Sequence, residues 1–197
     1  MAIQGRRGTV RNSTYRISGA TLEAINAAIR RSGPPHGRGG ARRAGACAGT
    51  LVLAIGGRDW AFETAAAGSG FRATCTVSGG AVRADCRITL PNLSGSRLSA
   101  TAQREWDRFL AAVQTHESGH VDAFVTEAEA VAADIAALSA EGEGRDERAA
   151  QVAAKEALSA LILRIDLEAR ADAAAARYDS QTRSGESQGA FLDATIA

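Results

Sequence analysis

From Ser99 to Leu138 apolar residues return at helical spacing, through Trp106, Leu110, Val113, Val121, Phe124, Val131, Ile135 and Leu138, with polar residues and alanines between them. A stripe of that length commits the middle of the chain to one amphipathic helix of about 35 to 40 residues, begun near Ser99 or Thr101, either of which can cap it. Whatever else the chain folds into has to be arranged around this helix.

His116, Glu117, Ser118, Gly119 and His120 lie inside the stripe. The chain has three histidines, so two of them fall in these five residues. Histidines four positions apart share one helix face, a turn from each other, where they can hold one tetrahedral zinc ion. Glu117 is about 100° round from His116, near enough to that face to serve as general base. This is the HExxH pattern of zinc hydrolases. Three fixed positions also arise by chance, as two surface histidines on a helix, but scarcity of histidine and the helical context both speak for a metal. Gly119 costs about 1 kcal/mol against alanine in a helix, so it implies either room beside the metal or close packing of another element.

Before the helix, residues 9 to 18 read as a first strand and Gly19 breaks it. Leu22, Ile25, Ala28 and Ile29 keep helical spacing after the N-cap Thr21, and Gly33, Pro34 and Pro35 stop that helix. Residues 33 to 49, rich in Gly, Arg and Pro, read as a long loop, and its His36 as a surface histidine rather than a ligand. Short β-runs follow, Thr50 to Ile55, Trp60 to Thr64, Phe71 to Val77 and Ala81 to Leu90, ended by Pro91. Their glycine-rich turns suggest one antiparallel meander. Beyond the motif helix, Glu141 to Gly144 reads as a turn and Asp146 to Tyr178 as a second long helix, making an antiparallel hairpin with the first. The expected class is therefore α+β, a small antiparallel sheet with an N-terminal helix and a long helical hairpin carrying HExxH. One domain is expected over 1–197, with the helix and meander in 9–95, the hairpin in 99–179 and a tail in 180–197.

The net charge of +1 supplies no field for a phosphate backbone, which argues against nucleic acid as a partner. Arginines crowd the first 45 residues (Arg6, Arg7, Arg11, Arg16, Arg30, Arg31, Arg38, Arg42, Arg43), and a solvated basic edge is the expected reading. No apolar run is long enough to span a membrane, and Met1 to Gly8 shows no signal peptide, so the residues alone lead to the expectation of a cytoplasmic chain or one that has lost its leader. Cys75 and Cys86 flank a Ser-Gly-Gly turn, so they can face each other as a disulfide or remain reduced; Cys47 is left over.

A catalytic zinc takes three protein ligands and leaves one position open. Three carboxylates compete to join His116 and His120: Asp122, which points off their shared face, Glu168, level with them if the hairpin is straight, and Asp179 at the end of the second helix. Here the sequence resembles a bacterial family catalogued as a domain of unknown function and described as secreted zinc-dependent proteases. The likeness runs from Tyr15 to Gly19 through Gly33 and Pro34, the Cys75 strand, Leu90 and Pro91, Trp106 and the HExxH to Tyr178, Asp179, Thr182 and Gln188 to Ala190. It implies a zincin-like fold, a zinc cofactor, a peptide or protein substrate, a secreted or periplasmic setting, and Asp179 as the third ligand. The family's closing motif reads Tyr-Asp-x-x-Thr-x-His-Gly, and Ser184 stands here in place of its histidine. The expected function is a zinc metallopeptidase with Glu117 as general base, favoured as a monomer, with Tyr178 and Arg183 as candidate oxyanion partners. The alternative is a catalytically inactive metal-binding or protein-interaction module, which Ser184 favours.

Overall fold

The computed structural model describes residues 2–36, 41–95 and 97–197, and its class is α+β. In chain order the elements are β1 (Gln4–Ile17), α1 (Leu22–Ser32), β2 (Pro35–His36), β3 (Ala41–Arg42), β4 (Ala46–Ala54), β5 (Trp60–Ala67), β6 (Gly70–Val77), β7 (Ala81–Leu93), α2 (Ala100–Ala136), β8 (Ser139–Gly144), α3 (Glu147–Ile162) and α4 (Leu167–Thr182). They form two compact units, each gathered from three stretches of chain. The first takes Met1–Gly8, Thr50–Ala84 and Phe124–Asp172, the second Thr9–Gly49, Asp85–Ala123 and Ala173–Ala197.

The strands do not form one meander. β1, β7 and β4 make one three-stranded sheet in that order, and β5, β6 and β8 make another. Of the expected runs, β5 and β6 are joined as an antiparallel hairpin, from the pair Trp60 and Val77 to the pair Ala67 and Gly70. The separation has a cause outside the 50–90 stretch, because β1 and β8 arrive from distant sequence to pair with β7 and β6. β7 also runs on through Pro91 to Leu93, since proline's φ suits extended backbone and costs the ladder only one donor.

Cys75 and Cys86 therefore lie in different sheets, and all three cysteines are free. The hydrogen-bond partner of Cys86 is Cys47, on the neighbouring strand β4.

In the first unit, α3 packs on β6 and β8. Glu141 to Gly144 is here a strand, not a turn: Ala140, Gly142 and Gly144 pair with Cys75, Ala73 and Phe71. The alternation of glutamate and glycine is the period-two signature of a strand whose inner face meets a helix backbone. A Cβ on Gly142 would stand 2.1 Å from Ala154 N, and one on Gly144 2.4 Å from Ala150 N, so only glycine lets α3 come this close. The long second helix is also broken, at residues 163–166, and Asp166 caps α4 by accepting from Ala169 N at 2.9 Å.

The second unit carries the motif. Its core joins Ile17 with the α1 residues Leu22, Ile25 and Ile29 and the α2 residues Trp106, Phe109 and Val113. Thr21 caps α1 by accepting from Ala24 N, and Ser99 caps α2 by accepting from Ala102 N at 3.1 Å. Much of the expected 33–49 loop is ordered by pairing: β2 and β3 are antiparallel, Pro35 opposite Arg42, and Arg43 N donates to Pro34 O at 3.1 Å. Residues 37–40, Arg38 among them, and the side chain of His36 lie outside the described residues. No helix among the described residues is long and apolar enough to cross a membrane.

Candidate metal centre

α2 is regular through the motif, so the spacing of four sets the two imidazoles on one face, ring centroids 4.8 Å apart. Both are buried, at 4% and 5% exposure, and so is Glu117 between them. The end of α4 meets this face within the same unit. Asp179 Oδ1 lies 3.3 Å from His116 Nε2 and 3.3 Å from His120 Nε2. Among the described residues these three are the group of potential ligands whose donor atoms converge, all within 4.8 Å of one another. Asp122 is exposed on α2. Glu168 belongs to the other unit, where Arg170, a half-turn further on, pairs with Glu127 and Asp134 of α2. A straight hairpin would have brought Glu168 level with the motif; the helix is instead broken at residues 163–166, and Asp179, eleven residues further along, is the α4 carboxylate at the two histidines.

The donor set fits a zinc ion. Bonds of about 2.0–2.2 Å at tetrahedral angles put ligand atoms about 3.3–3.5 Å apart, the spacing of Asp179 Oδ1 from both nitrogens. The protonation pattern agrees. His116 Nδ1 is 3.0 Å from Gln188 Oε1, and the same amide donates through Nε2 to Tyr178 Oη at 3.0 Å. With that amide orientation Nδ1 is the nitrogen that donates, and Nε2 is the one turned towards a carboxylate oxygen. Asp179 Oδ1 is itself buried without a hydrogen-bond partner. Lone pairs converging on one point, away from water, call for a cation there. Burial, ahead of all other influences, pushes the His120 imidazole below its ordinary pKa, towards the neutral form a metal needs.

Tyr178 closes the site from one side, stacked on His116 at 5.4 Å and edge-on to His120 at 4.8 Å. Gly119 makes room for it: a Cβ there would fall 1.8 Å from the phenol oxygen. The space left by Gly119 thus belongs to Tyr178.

Glu117 faces a cavity of about 120 Å³ lined by Arg43, Ala44, Gly45, Val113, His116, Ser184 and Ala190 as well. A Cβ on Gly45 would stand 2.6 Å from Glu117 Oε1, so the carboxylate rests against bare backbone. Its pKa is raised to about 7, first by burial and then by the Asp179 charge, while Arg43 and the backbone N–H of Cys47 act in the opposite direction. Glu117 is therefore poised to hold or release a proton near neutrality. The neighbouring Cys47 thiol is pushed up by its hydrogen bond to Cys86 and by burial, and stays protonated.

Arg43, Gln188 and Thr182 take part here without having been read from the sequence as site residues. Thr182 Oγ1 donates to Tyr178 O at 2.9 Å and lies 3.4 Å from His116 Nδ1. Gln188 carried a signal, since it stands in the Gln188 to Ala190 run of the family likeness. Arg43 carried none, being one arginine among nine in the basic stretch. Arg183, by contrast, is exposed in a left-handed turn (φ 50°) and does not line the cavity.

A family model described as "Bacterial protein of unknown function (DUF922)" matches residues 12–186. A search of curated proteins finds no match, and neither does a search of solved structures.

Proposed function

We propose a function from the site itself, since the chain belongs to DUF922, a bacterial family of unknown function, and membership brings no activity with it. The reading is a zinc-dependent metallopeptidase of the zincin type. His116, His120 and Asp179 hold the ion and Glu117 is the general base. The observation that carries it is Asp179 Oδ1 set 3.3 Å from the Nε2 atoms of two buried histidines, beside a carboxyl raised to about 7.

A zinc ion in this position supplies Lewis acidity, lowering the pKa of a water towards about 7 and polarising a carbonyl. Glu117, ionised at neutral pH in a fraction of molecules even without the ion, accepts the water's proton and returns it to the leaving amine. Gln188 keeps His116 in one tautomer and orientation throughout. The bare backbone of Gly45 lies against the Glu117 carboxylate.

One observation favours a second reading, a metal-binding module without activity: Ser184 stands where the family likeness implies a histidine, and its Oγ accepts from Arg43 at 2.9 Å. Two measurements separate these. Metal analysis of purified protein is expected to find about one zinc per chain. A quenched fluorescent peptide library is expected to be cleaved by the zinc-loaded protein and not by Glu117→Gln. Equal cleavage by both would sink the peptidase mechanism, while zinc without cleavage would establish the module.

A further inference from the structure

Asp179 is held unevenly. Its Oδ1 faces the two imidazoles with no hydrogen bond, whereas its Oδ2 accepts from Arg43 Nη1 at 3.0 Å. Arg43 is fixed at a second point, donating from Nη2 to Ser184 Oγ at 2.9 Å. Ser184 in turn sits where the chain leaves α4 in a left-handed turn (φ 56°, then 89° at Gly185), with its N–H on Asp179 O at 2.7 Å. A guanidinium is a planar fork, so two anchors on different nitrogens fix its plane as well as its position. From the other side, Arg43 is tethered through its backbone N–H to Pro34 O.

We infer that Arg43 is a positioning residue for the metal: with Ser184 as its second anchor it occupies Asp179 Oδ2 and so presents Oδ1 as a one-oxygen ligand. This rests on the zinc reading above. A carboxylate without that restraint can offer both oxygens to an ion or rotate off it, and either change alters coordination number. A cation so close to a dication also repels it, which makes the sign of the effect a real test. Repulsion acting alone predicts tighter binding when Arg43 is neutralised. Orientation predicts weaker binding, and outer partners of ligands typically contribute about 10- to 100-fold in metal affinity.

The test is competition for Zn²⁺ between the full chain and a chromophoric chelator, for wild type, Arg43→Gln, Arg43→Lys and Ser184→Ala. Visible absorption of the Co²⁺-loaded proteins is the second readout. Arg43→Gln is expected to bind zinc about 10- to 100-fold more weakly, Arg43→Lys and Ser184→Ala to fall between it and wild type. The Co²⁺ bands of Arg43→Gln should weaken as Asp179 supplies a second oxygen and the four-coordinate field is lost. A residue that only supported the fold would lower the melting temperature and leave those bands unchanged. Zinc affinity in Arg43→Gln equal to or above that of wild type, with an unchanged Co²⁺ spectrum, overturns the inference while leaving the metal site standing. Should Arg43→Gln fail to fold, Ser184→Ala decides the matter by the same two readouts. Absence of zinc uptake by the wild type overturns the metal reading and this inference with it.

Discussion

Glu117 is the residue whose environment makes the clearest demand on experiment. Burial and the Asp179 charge raise its pKa from 4.5 to about 7 in the fold. A raised carboxyl contributes stability that is complete below the unfolded value, near 4.5, and is lost as pH climbs through about 7. The loss amounts to about 3 kcal/mol, of the order that a shift of this size implies. Glu117→Gln removes the charge and keeps an oxygen for the Cys47 N–H. Metal-free Glu117→Gln is therefore expected to melt above metal-free wild type at pH 8 and close to it at pH 5. Thermal denaturation of chelator-treated protein at the two values checks this, and equal melting at pH 8 would remove the case for a strained carboxylate. At this scale the sequence was informative where chemistry is local. The spacing of His116, Glu117 and His120 on one helix needed no tertiary information. Asp179 was reached through its motif rather than by geometry, and Arg43 not at all, because 136 positions separate it from its carboxylate partner.

Elements were legible when their own pattern decided them and were misread when a partner did. The bounds of α1 follow from Thr21 and Gly33, and those of α2 from Ser99 and an unbroken stripe. β8 is the opposite case. Glycine at Gly142 and Gly144 reads as a turn by propensity, yet the glycines are there to admit the α3 backbone. This gives a prediction that runs against β-propensity. Gly142→Val, a gain by intrinsic preference, is expected to cost about 3 kcal/mol or more, since its Cβ would meet the main chain of Ala153 and Ala154 with nothing soft to displace. Glu141→Val, one residue away on the exposed face, should change stability by about 0.5 kcal/mol or less. Urea denaturation of both variants supplies the comparison. Similar midpoints for the two would mean that α3 is free to retreat from the sheet. The meander failed for a related reason: which strands pair was settled by β1 and β8, more than 30 positions from the runs they join.

In the molecule as a whole, each unit interleaves three stretches of sequence, so the second unit cannot be completed until its last residues are in place. The site depends on that closure, since Gln188, which orients His116, lies in the 3-10 turn Glu186–Gln188 close to the C-terminus. What holds this segment is a clasp from α2. Arg108 donates to Gly189 O at 2.8 Å and to Phe191 O at 2.7 Å, and Glu105, doubly bonded to Arg108, accepts from Asp193 N at 2.9 Å. The Arg108 hydrogen bonds hold the Glu105 carboxyl below its ordinary pKa, so the stability it contributes is present above the ordinary carboxylate range and lost only as pH falls beneath it. Cutting the clasp leaves every residue of the candidate centre in the chain but frees the segment that aligns His116, one of the proposed ligands. Arg108→Ala is therefore expected to speed hydrogen exchange across residues 186–197 and to weaken zinc binding by less than the roughly 10- to 100-fold set by direct partners of ligands. Leu192 and Ile196 still pack against the core in that variant, which limits the loss of global stability. Exchange mass spectrometry beside chelator competition tests the coupling directly: faster exchange with undiminished zinc affinity would show that His116 keeps its orientation without the tail, and that Thr182, 3.4 Å from the same nitrogen, suffices to hold it.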